Sequence, residues 1–370
     1  MKIRTTISYL LFPLTMWYAV GVAVRNFLFE VGILKQEAPR ITTIGVGNLN
    51  AGGSGKTPMV EYLLQLLADR YRVAVLSRGY KRKSKGFLLD DGSHDAALLG
   101  DEPSMIASKY PHVQVAVCEK RLEGVRRLME GGGMDDEEAA GTDGAVPQLI
   151  VLDDVYQHRA IKPSISILLT EYHHPFFRDH ILPYGNLREF SNGKNRAAIV
   201  IVTKCPARLN PVEKHNIIAD LRLRSYQKVF FSYLEYGDLR TLDGEERPVN
   251  LERMDGVLAV TGIAHPKPMI GELRRQCKVQ HLAFGDHHDY TQGDIDRIAK
   301  AYKAMPGDNK IIITTEKDAA RLHGKVEGLP VYVLPVRMAF HKENDKDFDQ
   351  IIESSVRENI SFLSKLSIWS

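Results

Sequence analysis

Gly47-Asn48-Leu49-Asn50-Ala51-Gly52-Gly53-Ser54-Gly55-Lys56-Thr57 follows an apolar run, Thr42 to Val46, and precedes a helical pattern from Pro58 through Glu61, Leu63, Leu64 and Leu67. Strand, glycine-rich turn and helix N-terminus together aim backbone N–H groups and the positive end of the helix dipole at one point, the arrangement that cradles phosphate. In such a loop Lys56 reaches the β- and γ-phosphates of a nucleotide, and the Thr57 hydroxyl ligates magnesium. Pro58 fits the first helical turn, where its missing N–H costs nothing. The strict form of the motif has glycine where this chain has Asn50, but Gly52, Gly53 and Gly55 remain. Asn50, Ala51, Gly52, Gly53, Ser54, Gly55, Lys56 and Thr57 are thus the expected ATP-binding residues, with Lys56 also catalytic.

Outward from the loop, short β-branched runs alternate with helical patterns: Val73 to Leu76, Val113 to Val117, Leu149 to Leu152, Ser164 to Leu169 and Ile199 to Val202. Near-continuous apolar strands separated by helices signal a parallel sheet covered on both faces. The expected fold is therefore α/β, a P-loop NTPase-like doubly wound parallel sheet over residues 36–225. Val-Phe-Phe-Ser-Tyr-Leu after Lys228, with turn signals at Gly237-Asp238 and Asp243-Gly244, suggests a β-hairpin linker over 226–255. A second, smaller α/β domain with a terminal helix is expected over 256–370, with strands at Val257 to Thr261, Ile311 to Thr315 and Val331 to Val336.

The N-terminal 35 residues differ from the rest. Ile7 to Val24 is eighteen residues without a charge, about 27 Å of helix at about 1.5 Å per residue, close to the hydrocarbon thickness of a bilayer. Lys2 and Arg4 also make a basic start of the signal-peptide kind, but no small-x-small cleavage site precedes a clear mature start. Phe27, Leu28, Val31 and Leu34 continue an amphipathic stripe, which favours an uncleaved membrane-associated helix over 1–35, spanning or lying in the interface. A buried core helix is the plainer alternative, and Trp17 and Tyr18 lie mid-segment and mark no interface.

Composition sets the remaining bounds. The 370 residues are 44% hydrophobic and 26% charged, as in a folded soluble body rather than a disordered or membrane-embedded one. A net charge of +3 says little about partners, no nucleic-acid partner is expected, and Lys81-Arg82-Lys83-Ser84-Lys85 is the clearest basic cluster. Cys118, Cys205 and Cys277 have no ligand-type spacing, so neither a disulfide framework nor a zinc site is indicated. Met134 to Val146, acidic and aperiodic, reads as a solvated insertion.

Other charged places lie at or near expected strand ends. Leu149-Ile-Val-Leu-Asp153-Asp154 ends an apolar strand with two carboxylates, and beside a lysine-bearing loop such acids hold magnesium. Asp101-Glu102-Pro103 after Gly100 opens a helix, and from spacing alone an N-cap is the simpler reading. Arg78-Gly79-Tyr80 lies on a strand-end loop, where open α/β sheets bind ligands. At the strand ends Thr203-Lys204 and Thr315-Glu316-Lys317-Asp318, charged groups could contact a nucleotide base, with a solvated helix start as the plainer reading. His265 follows a strand of the second domain, where an imidazole can orient or activate a carboxylate base.

Taken in order, these blocks resemble the tetraacyldisaccharide 4'-kinase family across nearly the whole chain. The resemblance is carried by the apolar N-terminus, Gly47 to Pro58, Ser77-Arg78-Gly79-Tyr80, Gly100-Asp101-Glu102-Pro103, Asp153-Asp154 with Gln157-His158-Arg159, and Leu182-Pro183-Tyr184-Gly185-Asn186-Leu187-Arg188-Glu189. Val202-Thr203-Lys204, Thr261-Gly262-Ile263, Asp286-His287-His288 and Thr315-Glu316-Lys317-Asp318 complete it. That family phosphorylates the lipid A precursor at the cytoplasmic face of the bacterial inner membrane. The resemblance implies ATP, Mg2+ and an acylated glucosamine disaccharide substrate, a membrane surface as partner, and a monomer. It implies that Asp101 is the general base, paired with His265, which reverses the reading from spacing. It further implies that Asp153, Asp154 and Glu189 surround magnesium with Thr57, and that Arg78, Tyr80, Glu102, Arg121, His158 and Arg188 line the nucleotide or substrate site. One departure stands out: the family's Asp-Asp-Gly-Phe-Gln-His is here Asp153-Asp154-Val155-Tyr156-Gln157-His158, and Val155 resists the positive φ open to glycine. The rival readings are a membrane-associated NTP-hydrolysing switch and a soluble small-molecule P-loop kinase. Thr203-Lys204-Cys205-Pro206 lacks the Asp that a switch GTPase uses to read its base.

Overall fold

The computed structural model describes residues 2–131, 146–286, 288–341 and 345–367. The acidic stretch from Met134 lies, up to residue 145, outside the described residues, as does His287. In chain order the first elements are α1 (Lys2–Glu30), β1 (Thr42–Asn48), α2 (Lys56–Leu67), β2 (Val73–Ser77), β3 (Leu88–Leu89), α3 (Ala96–Leu99) and α4 (Asp101–Lys109). Next come β4 (Gln114–Val117), α5 (Arg121–Met129), β5 (Leu149–Leu152), β6 (Ile165–Glu171), β7 (Ile199–Thr203), α6 (Pro211–Leu221) and β8 (Lys228–Tyr236). The remainder is β9 (Arg240–Thr241), β10 (Gly256–Thr261), α7 (Lys267–Arg274), β11 (Val279–Ala283), α8 (Gln292–Ala304), β12 (Lys310–Thr315), α9 (Glu316–Leu322), β13 (Val331–Leu334), β14 (Val336–Phe340) and α10 (Asp345–Ser367).

Two sheets organise these elements. The larger has nine strands in the order β14-β8-β7-β6-β1-β5-β2-β4-β3, and the smaller has five, β11-β10-β12-β13-β9. β1 runs parallel to β5 on one side and to β6 on the other, so the loop after β1 leaves the middle of the sheet, and the loop after β5 leaves beside it. Every residue of β1, β2, β5 and β7 is buried, which explains their unbroken apolar runs. α2 covers one face through Met59, Val60, Leu63, Leu64 and Leu67, a stripe at helical spacing.

The chain divides into one unit of residues 1–234 and 338–370 and a second of residues 235–337. This corrects the expected boundaries in two places. Lys228–Tyr236 is no hairpin arm but a strand parallel to β7 in the larger sheet. The expected strand Val331 to Val336 breaks at Pro335, which has no N–H to donate, and the chain after it enters the larger sheet as β14. α10 then belongs to the first unit, because Phe348, Ile352 and Val356 form a fully buried stripe in its core. The Phe348 ring stacks on Phe340 at 4.4 Å between centroids. Asn359 Oδ1 accepts from Thr42 Oγ1 at 2.9 Å, which ties the helix to the start of β1.

No helix among the described residues is long and apolar enough to cross a membrane. α1 turns Thr15, Ala19, Asn26 and Phe29 partly inward, with Val22 buried. Leu14, Met16, Trp17, Val20, Val24 and Phe27 remain exposed, Trp17 at 78%.

Candidate active site

β1 delivers the glycine-rich loop and α2 starts at Lys56, with Gly55 as its N-cap at φ 86°. The left-handed positions are Gly52 (φ 125°) and Gly55, whereas Asn50 is not among the positive-φ residues, so the motif's first glycine is not needed here. The Asn50 side chain anchors the loop instead, its Nδ2 donating to Asp179 Oδ2 at 2.8 Å. Nearby, Asn50 bridges Leu187, and Ala51 N donates to Asn186 O at 2.6 Å, stitching the loop to the 179–188 segment. Three loop carbonyls are satisfied from within the sheet: Asn48 Nδ2 donates to Asn50 O at 2.8 Å, Thr203 Oγ1 to Ser54 O at 2.8 Å, and Lys204 Nζ to Gly53 O. A Cβ at Gly52 or Gly53 would meet nothing within 4 Å, which leaves the loop's outer face open to a ligand. Thr203 and Lys204, considered above as base contacts, instead brace the loop backbone, and Lys204 also pairs with Glu171.

Asp153 and Asp154 leave the end of β5 beside this loop. Asp154 Oδ1 lies 3.5 Å from Lys56 Nζ, and both its oxygens accept from Arg188 Nη1 at 3.2 Å. Burial opposes ionisation of Asp154, but Lys56 and then Arg188 overcome it and hold the carboxyl below the usual carboxylate range. Asp153 is deeper. Its Oδ2 accepts from Ser77 Oγ at 3.2 Å, its Oδ1 is buried without a hydrogen-bond partner, and burial pushes its pKa up against the pull of Lys56.

The turn after these acids accommodates Val155 without strain. Positive φ falls on Asp154 (46°), not on residue 155, and Val155 N donates to Val46 O at 3.1 Å. Its side chain fills space left by Gly45, where a Cβ would come within 2.8 Å of Val155 Cγ1.

Arg121 opens α5 and is almost fully buried. Nη1 donates to Cys118 O at 2.7 Å and Nη2 to Asp153 O at 3.0 Å, and burial lowers its pKa to about 10. His158 is lowered to about 4 by burial and then by the charges of Arg121 and Arg78, so its imidazole is neutral at neutral pH. Arg78 and Tyr80 are exposed on the loop after β2. Asp101 and Glu102 are the first two residues of α4, whose N-cap is Gly100 at φ 95°, so the structure does not use Asp101 as a cap. Glu102 lies within the field of Asp153.

Glu189 stands apart from the other two acids. It is buried, Oε1 accepts from Arg196 Nη2 at 2.8 Å and from Gln157 Nε2 at 3.3 Å, and Oε2 has no hydrogen-bond partner. Its link to Asp154 runs through Gln157, whose Oε1 accepts from Arg188 Nη1 at 3.2 Å. Among the described residues no group of three or more His, Cys, Asp or Glu gathers as metal ligands. A magnesium ion still fits the pair beside Lys56: the donors are hard oxygens, one of them the orphaned Asp153 Oδ1, and this ion is commonly held by one or two carboxylates plus substrate phosphates.

In the second unit, His265 is exposed on the loop between β10 and α7. Asp318, fully buried, secures the start of that loop by accepting from Gly262 N at 2.9 Å, and it also accepts from Thr315 Oγ1 at 2.7 Å. Sequence reasoning gave no role to Asn48, Ser77 or Asp179. Of these Asn48 was within reach, since an amide ending an otherwise apolar strand just before a glycine-rich turn has to satisfy loop carbonyls.

A glycine-rich loop at the end of a central parallel strand, with its lysine against an aspartate of the adjacent strand, defines a phosphate-loop α/β protein. The family model for tetraacyldisaccharide-1-P 4'-kinase, LpxK, matches residues 7–357. A tetraacyldisaccharide 4'-kinase of Phocaeicola vulgatus is 41% identical over 94% of this chain and 95% of its own, and one of Flavobacterium johnsoniae is 40% identical over 95% and 98%. The crystal structure of LpxK from Aquifex aeolicus in complex with ATP superposes with a TM-score of 0.72 at 29% identity, covering 95% of this chain and 99% of that one. The chain belongs to the tetraacyldisaccharide 4'-kinase family, whose enzymes act in lipid A biosynthesis.

Proposed function

We propose that this P-loop NTPase-like enzyme transfers the γ-phosphoryl group of ATP to the 4'-hydroxyl of an acylated glucosamine disaccharide 1-phosphate. The observation that carries the reading is the approach of Lys56 to Asp154 at the mouth of the glycine-rich loop. In the reaction the acceptor oxygen forms a bond to the γ-phosphorus, the bond from that phosphorus to the bridging oxygen breaks, and ADP leaves. Asp101 takes the hydroxyl proton, with His265 orienting or activating it. The loop of Asn50 to Thr57 and the Lys56 ammonium bind the phosphates and offset the charge that develops on them. Asp153 and Asp154, with the Thr57 hydroxyl, are the residues proposed to hold Mg2+, and Glu189 supports them through Gln157 and Arg188. When bound, the ion neutralises phosphate oxygens and aligns them for in-line transfer. Arg78, Tyr80, Glu102, Arg121, His158 and Arg188 are proposed to line the nucleotide and acceptor sites, with His158 as a neutral hydrogen-bonding group.

The acceptor's chains tie it to a bilayer, since each buried CH₂ contributes about 0.8 kcal/mol. The exposed apolar side chains of α1 suit the interface of such a bilayer, which supports action at a membrane surface; the enzyme is proposed to work there as a monomer, at the cytoplasmic face of a bacterial inner membrane. The deciding experiment is phosphate transfer from ATP to the lipid A disaccharide precursor, beside nucleotide turnover with and without lipid. Transfer that requires Lys56 supports the proposal. Turnover indifferent to lipid, without a phosphorylated product, supports the switch; full solubility and activity after deletion of residues 1–35 supports a soluble kinase.

A further inference from the structure

We infer that α1 is part of the catalytic framework as well as the membrane-contacting element: Tyr18 and Arg25 are positioning residues that set Arg188 and Gln157 against the phosphate loop. Two chains of hydrogen bonds start on this helix. In the first, Tyr18 Oη donates to Arg188 O at 2.9 Å, Arg188 N donates to Leu49 O at 2.8 Å, and the Arg188 guanidinium holds both oxygens of Asp154. In the second, Arg25 donates to Gln157 O, Gln157 Nε2 donates to Asn48 O at 2.7 Å, and Asn48 Oδ1 accepts from Lys56 Nζ at 3.4 Å. They end on Asp154 and Lys56, the two groups whose approach defines the site.

Attachment alone does not call for these bonds. α1 is already seated by Val22 and Ala19 against the body, by Arg159 Nη1 donating to Asn26 O at 3.1 Å, and by the Arg159 guanidinium 5.1 Å from the Phe29 ring centroid. Tyr18 and Arg25 instead reach the backbone of two residues whose side chains order the acids. Because the opposite face of the same helix is apolar and open, a lipid surface that draws α1 toward itself acts on the same hydrogen bonds that align the site. This consequence rests on the membrane reading of α1, while the positioning role rests on the bonds themselves.

The test uses the full chain with ATP and the lipid disaccharide in mixed micelles, beside sedimentation with vesicles of phosphatidylethanolamine and phosphatidylglycerol. Tyr18→Phe removes one hydroxyl and keeps the ring. It should lower kcat about three- to tenfold at saturating micelles with an unchanged vesicle-bound fraction and Tm. Combined with Arg188→Ala it should cost nothing further, as residues acting in one chain do. Trp17→Ala, on the open face, should instead reduce the vesicle-bound fraction. Wild-type kcat in Tyr18→Phe, a loss of rate matched by loss of vesicle binding, or independent effects of the two substitutions each overturns the positioning role. Unchanged vesicle binding in Trp17→Ala overturns only the membrane reading, since kcat in Tyr18→Phe is measured separately.

Discussion

Lys56 Nζ and Asp154 Oδ1 stand 3.5 Å apart, where the loop after the central strand meets the end of its neighbour. The pair is partly shielded from water and is completed by Arg188 on the aspartate and Asn48 on the lysine. Lys56→Met keeps the length and apolar stem of the side chain and removes its charge. Phosphate transfer should fall by on the order of a thousandfold or more, because the lost cation faces the charge that builds in transfer. Steady-state transfer assays check this, and activity within tenfold of wild type would remove Lys56 from the chemistry.

Asp101 is the first residue of α4, directly after the Gly100 cap, and it is the proposed base. Asp101→Asn should lower kcat by about 10²- to 10⁴-fold while the KM for ATP changes only a few-fold, the pattern of a lost general base. His265→Gln should move the acidic limb of the pH–rate profile. Wild-type profiles in either variant would exclude that residue from the proton path.

His158 carries the clearest pH dependence. Its folded pKa of about 4 lies below the 6.5 of a free imidazole, so in that window the unfolded chain binds a proton that the folded one does not. Stability therefore falls as pH drops through the window, by up to about 2 kcal/mol between about pH 6.5 and about pH 5. Arg121, Arg78 and Arg25 add to this by repelling the imidazolium, and Asp154 works against it. Asp153, raised by burial, has the opposite sign, so the readout is the difference between wild type and His158→Gln. Thermal unfolding against pH should show a shallower acid decline in the variant, and parallel curves would refute the assignment.

Phe348 joins the C-terminal helix to the larger sheet. It is fully buried and contacts the rings of Phe340, Phe230 and Tyr62. Phe348→Ala should cost about 3–5 kcal/mol, the range for emptying an aromatic site in a core. Chemical denaturation measures the loss, and a change below about 1 kcal/mol would mean that α10 is not integral to the first unit.

Much of the fold was legible because fully buried parallel strands leave an unbroken apolar signature, as Ile199 to Val202 does. β11 left no such trace. It is an edge strand, Val-Gln-His-Leu-Ala, with no residue fully buried, so its composition resembles a loop. Val229 to Leu234 was readable as a strand, yet its partner was not, because register depends on segments distant in the chain. The same limit hid the passage of the chain from the smaller sheet to the larger one after Pro335.

The candidate site divides along the same line. Residues 47–58 by themselves determine a glycine-rich turn between a strand and a helix, since positive φ at Gly52 and Gly55 and a proline in the first helical turn are local backbone properties. Only tertiary structure decided that Asn50 serves through Asp179, that positive φ falls on Asp154 rather than Val155, and that Arg188 joins Asp154 while Glu189 joins Arg196. Backbone conformation and periodicity are local properties that a stretch of sequence carries with it. Which charge meets which across the ends of parallel strands depends on strand order and side-chain packing, and those exist only in the folded chain.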